Sequence, residues 1–345
     1  MQPQGVSTAA DAALQPWGPG TATGVGSLPG EDPLEAAKLI LETLPDLPFL
    51  PELPGRGAPA DLAGRGTALL HDMPVDLQPS GWRLVSRPSG DGSRARDLLA
   101  RDVDAFELAA GLAGQPARLK VQVTGPWTLA TRLELTRGDK VLADHGAVRD
   151  LTSSLAEGVR LHLADLQRRL PDTVLVLQVD EPSLPTVIAG GVPTSSGWGR
   201  LRVPQEQVVR GRLAEVLAVS PHRLVHCCAR RPPIGLFQRA GATGLSLDAT
   251  LLTGFDDEAL GTAVEAGLGL LLGCAPSIDA TLSDPAGILR PVRALWRRLG
   301  LDPALVAPTV VVTPTCGLAG ASAAYARAAL TRCVEAGELL KEEPE

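Results

Sequence analysis

Eight short apolar runs, spaced along residues 21–315 and separated by longer stretches of helical periodicity, constrain this chain more than any other feature. A run of about four to eight such residues bounded by turn residues reads as a buried strand, and strands alternating with helices read as βα units around a parallel sheet. The runs are 21–27 (TATGVGS), 47–52 (LPFLPE), 119–124 (LKVQVT), 173–180 (TVLVLQVD), 223–228 (RLVHCC), 244–248 (GLSLD), 268–274 (LGLLLGC) and 309–315 (TVVVTPT). The second is the weakest, because its prolines cannot donate to a ladder. Helical patterns fill 33–44, 93–112, 147–170, 204–219, 256–266, 284–299 and 321–340. Eight strands are more than an open doubly wound sheet usually has, and no run ends in a GxGxxG turn. The expected fold is α/β: a single (β/α)8 TIM barrel over 21–340, with 1–20 as a flexible tail and an insertion after strand two. That insertion, 53–92, holds a helical pattern at 61–70 and an extra hairpin strand at 81–87. Long insertions on the active-site face of a barrel shape its pocket.

A barrel interior is filled by layers of side chains, mostly branched aliphatics. The composition suits this, with 44% hydrophobic residues and only 3% aromatic. A net charge of −7, with no basic stripe carrying interleaved aromatics, argues against a nucleic-acid partner. No apolar run reaches the roughly 18 residues of a membrane span. Residues 1–20 lack Lys, Arg and any sustained apolar stretch, so they do not read as a secretory signal. The five cysteines form no disulfide-like array. In a cytoplasmic chain, the expected setting here, such cysteines serve as ligands, nucleophiles or core fillers.

Functional groups of such barrels sit just past the C-terminal ends of the strands. Here those positions carry Ser27, Glu52, Asp180 with Glu181, His226 with Cys228, Asp248 and Cys316. Residues two apart on a strand share a face, so His226 and Cys228 point inward together while Cys227 points outward. Cys316 ends the eighth run and Asp248 the sixth. Donors of N, S, S and O type suit a tetrahedral zinc ion, Zn2+. Plainer readings stand beside this one. A lone cysteine is usually a small buried hydrophobe. Asp248 can cap the next helix, and Asp180 can be a cap or a salt-bridge partner. Cys227, Cys333 and His162 read as structural, and Cys274 as packing.

Seven segments, in order, resemble the C-terminal catalytic barrel of the cobalamin-independent methionine synthase family, as a short single-domain relative. They are 23–29 (TGVGSLP), Gly81-Trp82, 124–128 (TGPWT), 178–184 (QVDEPSL), 225–228 (VHCC), 245–248 (LSLD) and 314–318 (PTCGL). The resemblance implies that His226, Cys228 and Cys316 bind zinc, with Asp248 standing where the family has a glutamate. It implies that Ser27 holds the carboxylate of homocysteine and Asp180 its ammonium group, with Glu181, Glu52 and Trp82 lining the substrate site.

The implied reaction is methyl transfer to the homocysteine thiol, giving methionine, as in amino-acid biosynthesis. A free thiol has a pKa of about 8.5, and a zinc ion removes its proton outright at neutral pH. Two cysteinate ligands favour thiol alkylation over hydrolysis. The donor is methyltetrahydrofolate or methylcobalamin, the latter with a corrinoid protein as partner. Folate nitrogen needs a general acid. The family's histidine after strand seven is absent from 274–281 (CAPSIDAT), leaving Asp279 beside Asp180 as candidate catalytic carboxylates. The alternatives are a uroporphyrinogen decarboxylase-like or corrinoid-dependent methyltransferase barrel acting on another thiol, and a non-catalytic barrel with structural zinc.

Overall fold

Six of the eight apolar runs pair into one continuous parallel sheet. The computed structural model describes residues 15–344. Its strands are β1 (Val75–Gln78), β2 (Gly81–Leu84), β3 (Arg118–Thr124), β4 (Leu133–Glu134), β5 (Val174–Asp180), β6 (Arg223–Cys227), β7 (Gly244–Asp248), β8 (Gly269–Ala275) and β9 (Val310–Pro314). The main sheet is curled and runs β3-β5-β6-β7-β8-β9. The helices are α1 (Pro33–Thr43), α2 (Leu62–Ala68), α3 (Gly90–Ala113), α4 (Pro126–Arg132), α5 (His145–Arg169), α6 (Leu184–Ile188), α7 (Glu206–Leu217), α8 (Ile234–Arg239), α9 (Asp257–Glu265), α10 (Pro285–Leu299), α11 (Val306–Thr309) and α12 (Ala323–Glu342). No helix among the described residues is long and apolar enough to cross a membrane.

The runs at 21–27 and 47–52, expected as strands one and two, do not join the sheet as regular strands. Isolated parallel bridges hold them instead: Ala22 to Val312, Ser27 to Glu52, and Phe49 to Lys120. Pro48 and Pro51 have no N–H to donate, which interrupts any ladder. Gly24 lies where a Cβ would collide with the Phe49 ring. The chain therefore meets β9 on one side and β3 on the other through one isolated bridge each.

All seven helical patterns hold helices. Side-chain caps start five of them and the insertion helix α2: Asp32, Asp61, Ser89, Asp144, Asp284 and Ser322 each accept a backbone N–H at the head of α1, α2, α3, α5, α10 and α12. The 53–92 insertion holds α2 and an antiparallel hairpin, β1 with β2, to which β4 adds in parallel. The helix α4, absent from the sequence reading, begins at once after β3 with Pro126 in its first turn.

A separate buried cluster packs Trp17, Leu47, Val176, Leu224, Leu271 and Val311 against the N-terminal halves of the strands. Gly244 and Gly269 make room for the Trp17 ring. Gln15 Nε2 donates to the carbonyls of Thr243 at 3.0 Å and Gly267 at 2.8 Å. Of the tail expected over 1–20, residues 1–14 lie outside the described residues. Residues 15–20 do not hang free but plug the end of the sheet, because the large apolar ring of Trp17 fills a hole that two glycines leave.

Candidate metal centre

The strand register decides which side chains meet. Asp180 on β5 pairs with His226 on β6, and His226 pairs with Ser246 on β7. All three fall on one face of the sheet, at the C-terminal ends of their strands. Cys228 follows β6 directly, and Cys316 follows β9 by two residues.

His226, Cys228 and Cys316 place their donor atoms within 4.8 Å of one another, a group able to hold a metal ion. The two sulfurs lie 3.2 Å apart. The hydrogen bond between them holds the Cys316 thiol well below its usual range and pushes Cys228 up. His226 is buried, and its Nδ1 meets Ser246 Oγ at 2.9 Å. That contact fixes the ring and leaves Nε2 as its free donor. Two sulfurs and one imidazole nitrogen fit zinc better than the hard cations, which prefer oxygen.

Asp248, the expected fourth ligand, falls outside this group. Its carboxylate accepts from Thr250 N at 2.8 Å and from Thr250 Oγ1 at 2.6 Å. These bonds tie the short side chain to the turn after β7; the next helix, α9, begins only at Asp257, so Asp248 does not cap it.

The ligand group forms one wall of a cavity of about 220 Å³, lined also by Val25, Ser27, Glu52 and Asp180. Pro54, Ala60 and Leu62 from the insertion close another side. Asp180 accepts from Gln178 Nε2 at 2.8 Å, and burial pushes its carboxyl up to about 7. Glu52 is paired with buried Arg65 at 3.3 Å. Ser27 packs against Gly317, where a Cβ would strike its Oγ. A side chain after Cys316 would displace the Ser27 hydroxyl from its place beside the cavity.

The other expected site residues lie elsewhere. Glu181 accepts from Trp127 N, Thr128 N and Thr128 Oγ1 at 2.9, 2.8 and 2.7 Å, and so caps α4. Side chains alternate along the chain, so Glu181 points away from the cavity that Asp180 lines. Burial pushes Glu181 up to about 7. Trp82 is buried in the β1–β2 hairpin and does not line the cavity. Asp279 is exposed and accepts from Ser322 N at 2.8 Å, beside the start of α12. Ser246 was missed by sequence reasoning. Its signal was its place two residues before Asp248, on the face that also carries His226.

No family model matches the sequence, and no curated protein matches it. The fold is similar to that of a B12-independent methionine synthase from Shewanella sp. W3-18-1, solved in complex with selenomethionine. That match has 12% sequence identity and a TM-score of 0.60, and covers 94% of this chain and 98% of the other. The likeness shows a shared α/β fold across nearly the whole chain.

Proposed function

We propose that this chain is a zinc-dependent methyltransferase that moves a methyl group to the thiol of homocysteine, forming methionine. The observation that carries the reading is the meeting of His226, Cys228 and Cys316 on the wall of a cavity that Ser27 and Asp180 also line. The similar fold of a protein named as a methionine synthase supports it. The three bridges at 22, 27 and 49 support reading 21–27 and 47–52 as the first two strands of a closed (β/α)8 barrel.

His226, Cys228 and Cys316 would hold the ion with three protein donors, the number by which catalytic zinc sites, unlike structural ones, keep room for an external ligand. Zinc held there supplies Lewis acidity that keeps an incoming thiol deprotonated at neutral pH. The protein's own groups do the rest. Ser27 donates to the substrate carboxylate. Asp180 receives the ammonium group, whose charge favours the ionised carboxylate against the burial that raises it. The insertion residues Pro54, Ala60 and Leu62 exclude water around the reacting sulfur. The donor is methyltetrahydrofolate or a methylcorrinoid.

The test is methionine formation by zinc-loaded protein given homocysteine with either donor. Turnover with one donor supports the reading and names the donor. No turnover with methyltetrahydrofolate, methylcobalamin or a methylated corrinoid protein contradicts it.

A further inference from the structure

Lys120 is fully buried on β3, in an interior layer where such a sheet normally carries aliphatic side chains. A buried ammonium is costly unless it is paired and hydrogen-bonded. Its surroundings answer that need. Nζ donates to the Val25 carbonyl at 2.7 Å, meets Gln122 Oε1 at 3.4 Å and sits 5.3 Å from the centre of the Phe49 ring. Asp180 and Glu52 are the charged groups that face it; they oppose the burial that pulls it down to about 8, so it stays protonated at neutral pH.

The links that leave Lys120 run to, or close beside, one part of the cavity wall. The Val25 carbonyl also accepts from Gln178 Nε2 at 3.0 Å, and the same amide donates to Asp180 Oδ1 at 2.8 Å. Gln122 Nε2 donates to the Leu50 carbonyl at 2.5 Å, two residues before Glu52. Val25, Ser27, Glu52 and Asp180 line the cavity. The segments bearing Ser27 and Glu52 join the sheet through isolated bridges rather than ladders, and these bonds add to the hold of Leu318 N on the Ser27 carbonyl at 2.8 Å and of Arg65 on Glu52 at 3.3 Å. His226 lies on β6, and Cys228 and Cys316 follow β6 and β9; none of the three takes part in these bonds.

We propose that Lys120 is a positioning residue that fixes the Ser27, Glu52 and Asp180 side of the cavity, the side that receives the amino-acid group of the thiol substrate, while the metal side stands independently of it. The proposal rests on the homocysteine reading above. It adds a distinction that reading does not make, between recognition of the sulfur and recognition of the amino-acid end.

The experiment is calorimetric titration of zinc-loaded protein with homocysteine and with 1-propanethiol, which keeps the sulfur and lacks the amino-acid group. Losing one charge-assisted contact network should weaken homocysteine binding by at least about tenfold in Lys120→Met, with propanethiol binding and zinc content unchanged. Should Lys120→Met fail to fold, Gln178→Met breaks the same chain of bonds without removing a charge, and should weaken homocysteine selectively. A variant that keeps the wild-type preference for homocysteine, or loses both thiols and zinc together, overturns the role of Lys120. Wild-type protein that binds both thiols alike overturns the homocysteine reading itself, and this proposal with it.

Discussion

The sulfurs of Cys228 and Cys316 stand 3.2 Å apart although 88 residues separate them in the chain. Cys228 follows β6 and Cys316 follows β9, and two strands, β7 and β8, lie between these in the sheet. Only a strongly curled sheet brings such ends together, so the contact and the curvature imply each other. Two thiols at this distance, beside an imidazole, make a soft chelate. Purified wild-type protein and Asp248→Ala should each hold about one zinc per chain, while Cys228→Ala and Cys316→Ala should hold little, because a three-donor site stripped of one thiolate loses most of its affinity. Metal analysis after gel filtration checks this. Zinc lost from Asp248→Ala would restore that residue as a ligand.

Ser246 touches no proposed substrate but holds His226 Nδ1 at 2.9 Å. Partners of this kind typically contribute about 10–100-fold to metal affinity. Ser246→Ala should therefore lose zinc to a competing chelator at correspondingly lower chelator concentration, with its fold intact by circular dichroism. Unchanged affinity would mean that packing alone orients the ring.

Glu181 belongs to the fold rather than the site. It accepts three bonds at the head of α4, and a glutamine in its place has only one acceptor oxygen to meet them. Glu181→Gln should therefore destabilise the protein by about 1–3 kcal/mol without loss of zinc. Burial raises this carboxyl from 4.5 to about 7, so the folded state holds a proton that the unfolded chain releases. Its contribution is full below pH 4.5 and fades as pH rises through 7. The stability gap between wild type and Glu181→Gln should narrow over that window in urea titrations at successive pH values. A gap that widens with pH would reverse the sign.

Trp17 plugs the N-terminal end of the sheet against Gly244 and Gly269. Truncating such a buried ring costs about 3–5 kcal/mol. Trp17→Ala should shift the urea midpoint accordingly, whereas a midpoint like that of wild type would show the plug to be dispensable.

Periodicity made the seven longest helices and the six paired strands legible, because burial on one or both faces writes a pattern into the sequence, whereas α4, α6, α8 and α11 are too short to show one. It also put His226 and Cys228 on one face. The bridged segments at 21–27 and 47–52 read as strands for the same reason, but glycine and proline limit their backbone pairing. The tail misled because Trp17 is a single anchor in a polar stretch, with no period to reveal it. Asp248 and Asp279 show the limit for site residues: a carboxylate just past a strand suits a ligand or a general acid as well as a partner for nearby backbone N–H groups, and the sequence does not show those local hydrogen bonds. The polar layer of Lys120, Gln122 and Gln178 was hidden inside runs that read as plain strands.

Zinc K-edge absorption, recorded with and without homocysteine, addresses the central claim most directly. The account predicts two sulfur neighbours from Cys228 and Cys316 in the resting protein and a third when homocysteine is added. A metal environment that homocysteine leaves unchanged would contradict it.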